Sequence, residues 1–268
     1  MSVTQDASGR RSTSEEFDVP GTPDEVWAAI ATGPGISAWF VPAEFEELDG
    51  RPVALKLVFG ADFVASASIT AWEPPHRYVG QNEGWGGSPP IATEWEIEAR
   101  GGGTCHVRIV HSLFASTADW DDQLEGAKAG WSGFLAILKI YLAHFRGQPF
   151  AMTQLRQAAT GSDAQLWDAL ISAVGLRGVD AGQRFSAPAD APSFAGVVEY
   201  ASREPFDALL RVDQPGPGIV ALGIAGAPGG PSSIGVNLYF YGAQAKAVLA
   251  RETPAWAAWL AQRFPAGA

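Results

Sequence analysis

The sequence predicts an α+β fold, an antiparallel sheet preceded by short helices and closed by one long helix, followed by a shortened version of the same order. Three observations predict it. TPDEVWAAI (22–30) returns 140 residues later as SDAQLWDAL (162–170), six β-rich stretches succeed one another between 45 and 113, and 121–145 carries an apolar stripe at helical spacing.

Taken in order, residues 1–14 are polar and read as a disordered tail, and 17–19 as a first short strand. Thr22 then caps a helix, because a threonine three residues before Glu25 makes a reciprocal capping box, with Pro23 at a tolerated first position and Asp24 near the positive end of the dipole. PGISAWFV (34–41) reads as a second short helix. Strands are expected at 45–48, 53–59, 63–72, 77–81, 91–99 and 104–113, separated by Gly, Pro or Asp-Gly; EPPH (73–76) and RGGGT (100–104) look like the tight turns of an antiparallel meander. In 121–145, Trp131, Leu135, Leu138, Leu142 and Phe145 share one face of a long helix. RGQPFAM (146–152) connects to the second half, where Ser162 and Gln165 repeat the capping box. Strands follow at 196–200, 208–212, 219–224 and 234–241, then helices at 243–251 and 254–264, the last with Thr253 and Pro254 as cap and first position. The expected domains are 15–147 and 153–268, the second a reduced copy about one hairpin short.

The chain of 268 residues is 47% apolar and 18% charged, which suits two globular domains and excludes overall disorder. A net charge of −11 with scattered basic residues argues against nucleic-acid and acidic-membrane partners. No apolar run reaches the roughly 20 residues of a membrane span, and the first residues lack the apolar segment of a secretion signal. The lone Cys105 fits a reducing, cytoplasmic setting, and arginine usage (14 of 18 basic residues) a bacterial origin.

FDVPGTPDEVWAAIATGPGISAWFVPA, ITAWEPPHRY, ATEWEIEARGGGTCHVRIVHS and GWSGFLAILKIYL together resemble the branch of the START-like, or SRPBCC, superfamily related to activators of the heat-shock protein 90 ATPase. The resemblance covers about 15–146 and implies a helix-grip fold. It further implies an apolar cavity between sheet and helix that in many relatives accepts a small hydrophobic or aromatic molecule. Relatives that catalyse, such as polyketide cyclases, share fold more than residues, so an enzyme reading from fold alone is analogy. In this sequence the cavity would be lined by Trp39, Phe40, Tyr78, Trp95, Ile97, Ile109, His111, Trp131, Leu135 and Leu138.

Two readings of these residues stay open. The aromatics Trp39, Phe40, Trp95 and Trp131 suit a wall for a flat ligand, or they fill a core. Cys105, Val107, Ile109, His111 and Leu113 share a strand face by the period of two, so His111 points toward the long helix; it then contacts a ligand, acts as acid or base, or is a core histidine satisfied by a carbonyl or by Tyr141. His106 lies on the opposite face, which separates it from His111 as a metal ligand. ADWDDQLEG (118–126) places carboxylates at a helix start, where the dipole accounts for them, and Glu94, Glu96 and Glu98 read as the solvated face of a strand. GWSGF (130–134) lacks the final glycine of a nucleophile elbow, and GAPGG (226–230) lacks the lysine of a phosphate cradle. The expected function is binding of a small apolar molecule, with no catalytic group, metal or cofactor assigned. A cyclase or hydrolase using His111, a co-chaperone-like interaction module and an intramolecular pseudo-dimer of the two halves are the alternatives carried forward.

Overall fold

The computed structural model describes residues 3–6, 9–59, 63–83, 89–114, 121–203, 206–226 and 232–266, without the side chains of 114, 121–130, 225 and 226. Two compact units divide at Arg146 and Gly147. The first runs β1 (Thr4–Gln5), β2 (Arg10–Pro20), α1 (Pro23–Ile30), α2 (Gly33–Ser37), β3 (Ala43–Leu48), β4 (Arg51–Phe59), β5 (Phe63–Glu73), β6 (Arg77–Asn82), β7 (Ile91–Arg100), β8 (Thr104–Phe114) and α3 (Asp121–His144). Its strands pair antiparallel in the order β1-β2-β8-β7-β6-β5-β4-β3, so the first long strand returns to lie beside the last and the rest form a meander.

The second unit runs β9 (Phe150–Ala158), α4 (Asp163–Ala173), β10 (Arg184–Ser186), β11 (Ala195–Arg203), β12 (Phe206–Gln214), β13 (Gly218–Gly226), β14 (Ser232–Tyr241) and α5 (Ala245–Arg263). Its order, β10-β11-β12-β13-β14-β9, again pairs the first strand with the last. The second unit is therefore a reduced copy of the helix-grip fold. Among the described residues it lacks one strand of the β2–β8 set rather than a hairpin, has no counterpart of α2, and closes with 19 helical residues instead of 24.

The two capping boxes form alike. Thr22 N–H donates to Glu25 Oε2 at 2.8 Å and Glu25 N–H to Thr22 Oγ1 at 3.3 Å; the Ser162 and Gln165 equivalents are 3.0 and 3.3 Å. Each box follows a glycine at strongly positive φ, Gly21 at 135° and Gly161 at 140°, a turn that L-residues rarely make. The glycines one helix later do not correspond. Gly35 lies within α2 against the Ala28 carbonyl, whereas Gly175, at φ 77°, follows the end of α4.

Four sequence expectations need correction. Residues 10–14 are not tail but the start of β2, held by backbone pairing from Arg10↔Phe114 to Pro20↔Thr104. The connector stops at Pro149, because Phe150 already pairs with Tyr241 as β9. α5 passes through Pro254 without a break; the Thr253 hydroxyl donates to Leu249 O at 2.8 Å, so Thr253 satisfies a helical carbonyl instead of capping a new helix. Glu94 and Glu96 are not merely solvated, since Arg77 Nε lies 2.6 Å from Glu94 and Arg108 Nη1 2.7 Å from Glu96. Among the described residues no helix is long and apolar enough to cross a membrane.

Candidate ligand site in the first unit

The floor of the site is set by the register of the meander. Ile69, Gly80, Thr93, His111 and Thr13 stand opposite one another across β5, β6, β7, β8 and β2. The next row is Trp72, Tyr78, Trp95, Ile109 and Glu15. On β8 the predicted inward face holds throughout: Cys105, Val107, Ile109, His111 and Leu113 are all buried. α3 covers this face with Leu135, Leu138 and Leu142, also buried, and with the half-buried Trp131.

The aromatic residues form one connected wall. Trp39 stacks on Phe40 at 5.5 Å and meets Trp95 at 6.2 Å; Trp131 touches Phe40, Trp95 and His111 at 5.0, 5.7 and 5.6 Å between centroids. Phe134 and Phe59, which the sequence reading left out, extend this wall from Phe40 at 4.4 and 5.6 Å. The polar ends of two wall residues are committed to the fold. Trp39 Nε1–H donates to Ala29 O at 3.0 Å and the Tyr78 hydroxyl to Ile30 O at 2.9 Å, satisfying carbonyls at the C-terminal end of α1 that have no intrahelical partner. Burial also pushes the Tyr78 phenol up, so it stays protonated. Ile97, Ile109 and Leu138 lie in the same buried layer, while Leu135 also edges a solvent-open recess of about 390 Å³ between β2 and α3, beside Phe17 and Lys139.

His111 is the polar exception. Its Nδ1 lies 3.1 Å from Thr93 Oγ1, and its Nε2 is buried with no hydrogen-bond partner among the described residues. The partner foreseen for a core histidine, Tyr141 or a backbone carbonyl, is thus replaced by Thr93. Burial lowers the imidazole to about 4, so the ring is neutral at physiological pH. Two strands away in the same row, Gly80 is buried, and among the described residues a Cβ placed there would meet only Ala67 and Ile69 of the neighbouring strand within 4 Å. Gly80, Thr93 and His111 thus give the floor a glycine and two polar side chains in one row.

On the other face His106 Nδ1–H donates to Asp18 Oδ1 at 2.9 Å, apart from His111. Among the described residues no group of three His, Cys, Asp or Glu side chains is placed to hold a metal. The side chains of the acidic run at 118–126 and most of GAPGG lie outside the described residues; GWSGF sits inside α3 and forms no elbow.

Residues 20–143 match the family model of activator of Hsp90 ATPase homolog 1-like proteins. The first unit is a domain of this family, within the START-like superfamily. Solved structures similar to the chain include the di-domain aromatase/cyclase BexL of the BE-7585A biosynthetic pathway, at 15% identity over 96% of this chain and 100% of that one, TM-score 0.46. DynU16, a putative protein of the dynemicin biosynthetic locus, is 15% identical over 93% and 96%, TM-score 0.42. CalU16 from Micromonospora echinospora is 21% identical over 52% and 79%, TM-score 0.41. No curated protein matches the chain.

Proposed function

We propose that the activator-like domain binds a small, flat, apolar or aromatic molecule between its sheet and α3, without chemistry of its own. The observation that carries this reading is the buried Nε2 of His111, left without a partner among the described residues beside Trp131 and in the same sheet row as Gly80. A buried polar atom without a partner costs about 1–3 kcal/mol, so a guest that supplies one gains what the empty protein lacks. Trp95, Trp131 and Phe40 offer ring faces and edges for the apolar body of that guest. The binding reading is preferred over general acid–base catalysis because an imidazole lowered to about 4 is a weak base, and His111 has no carboxylate partner among the described residues to strengthen it.

Native mass spectrometry of the freshly purified protein, together with melting in the presence of fluorene, tests the proposal. Fluorene is expected to raise Tm and to quench tryptophan emission, and Gly80→Leu, which builds a side chain onto the floor where the guest is proposed to lie, is expected to abolish both effects while leaving the fold intact. Equal responses of the two proteins would refute a guest at this position.

A further inference from the structure

The hydrogen bond between Thr93 and His111 decides what the site offers a guest. Two arrangements are available. If His111 Nδ1–H donates to Thr93 Oγ1, both the Thr93 hydroxyl proton and the Nε2 lone pair are left without partners. If instead the Thr93 hydroxyl donates to a bare Nδ1, both Thr93 and Nδ1 are satisfied and the single remaining group is Nε2–H. Thr93 Oγ1 has no other hydrogen-bond partner among the described residues, so the comparison turns on these counts alone. His111 is buried and Thr93 half-buried; an unmatched donor or acceptor is costly to the extent that it is shielded from water, and the second arrangement leaves one where the first leaves two.

We infer that Thr93 fixes His111 as the Nε2–H tautomer, so that the chamber presents one buried hydrogen-bond donor and selects aromatics carrying a carbonyl oxygen, aryl ketones or quinones, over hydrocarbons of the same shape. The inference rests on the binding reading above and names the ligand class of that site. Thr93 is then a positioning residue: its hydroxyl sets which imidazole nitrogen keeps the proton, and His111 meets the guest. The stacking of Trp131 on the imidazole, at 27° between planes, confines the donor to the plane of the ring, the direction from which an in-plane carbonyl oxygen approaches. A ligand hydroxyl is a poorer match. It accepts more weakly than a carbonyl, and its own proton finds no acceptor at Nε2–H.

Two measurements on the full-length protein test this. Long-range proton–nitrogen spectra of the imidazole at neutral pH distinguish the protonated from the bare ring nitrogen. The expected result is a protonated Nε2 in the native sequence and in Thr93→Ser, which retains the hydroxyl, and loss of that preference in Thr93→Val. Isothermal titration with the matched pair 9-fluorenone and fluorene then reads the selectivity. The ketone is expected to bind about tenfold tighter, the equivalent of one net hydrogen bond of about 1.4 kcal/mol, and the ratio to fall to about one in His111→Phe. A protonated Nδ1, or equal affinity for the two compounds in the native protein, would overturn the inference and leave the apolar chamber standing. Failure of both compounds to bind would overturn the binding reading itself, and the inference with it.

Discussion

The row across the middle of the first sheet is Ile69, Gly80, Thr93, His111 and Thr13; the topologically equivalent row of the second is Val198, Leu210, Val220, Leu238 and Thr153. Thr13 and Thr153 stand 140 residues apart, the same offset that relates the capping boxes, so the two rows can be compared position by position. Where the first unit has glycine, threonine and histidine, the second has leucine, valine and leucine. Those side chains join Trp256, Leu260, Phe264 and Phe194 in a continuous buried cluster. The same row thus carries small and polar groups in one unit and aliphatic groups in the other, a difference of three side chains on a shared strand pairing.

The largest expected effect comes from forcing the second unit to imitate the first. Leu238→His removes a fully buried leucine and buries an imidazole whose cross-strand neighbour, Val220, offers no hydroxyl where the first unit supplies Thr93. A loss of about 4 kcal/mol is expected, combining the truncation of a core leucine with an unsatisfied polar group. Denaturant unfolding measures it. A cost below about 1 kcal/mol would mean that the second core has slack and that the contrast between the rows is not one of packing.

Next in size is a pH effect confined to the first unit. Burial lowers His111 from 6.5 to about 4, so the unfolded chain takes up its proton as pH falls through 6.5 while the native protein does not. The neutral imidazole therefore favours the native state fully above pH 6.5, and that contribution is lost progressively as pH falls toward 4, by about 3 kcal/mol in all. The difference in unfolding free energy between the native sequence and His111→Leu should follow this curve, since carboxylates such as Glu25 and Asp168 contribute to both proteins alike. Parallel curves from pH 7 to pH 4 would show that His111 is hydrated in the native state and that the chamber is open to water.

Much of this contrast was legible in the sequence, and what escaped it is non-local. Capping boxes, Asp-Gly and triple-glycine turns and the alternation of β8 are local signals, and each formed as the spacing required. β9 escaped because FAMTQLRQA alternates only weakly; it is a strand because β14 offers an edge, and nothing nearby in sequence says so. The beginning of β2 escaped for a related reason: Ser12, Thr13 and Ser14 look like a polar tail until Ser112, His111 and Val110 are placed beside them. The Thr93–His111 contact had a readable signal that went unused. Once RGGGT is taken as a turn with Arg100 opposite Thr104, counting back along the hairpin brings Thr93 opposite His111. The meeting of Trp131 with His111 had none, because it depends on how α3 crosses the sheet.

The smallest expected effect tests where the two units should be indistinguishable. Thr22→Ala and Ser162→Ala each remove a side-chain acceptor 3.3 Å from the amide three residues on, and each should cost about 1 kcal/mol at neutral pH. Both caps are hydroxyls, and the boxes differ in charge through the returning group. Glu25 is a carboxylate, lowered first by its bond to the Thr22 backbone amide and further by Arg146, whereas Gln165 does not titrate. A lowered carboxylate stabilises the native state above its unfolded value of 4.5 and loses that contribution as pH falls through its folded value. The first box should therefore weaken in acid and the second should not, so that Glu25→Gln lowers Tm slightly at pH 7 and flattens the acid limb of the melting profile. Should Ser162→Ala prove costless at neutral pH while Thr22→Ala does not, the repeated motif would be a likeness of sequence without a likeness of energetics, and the two helices would have to be explained separately.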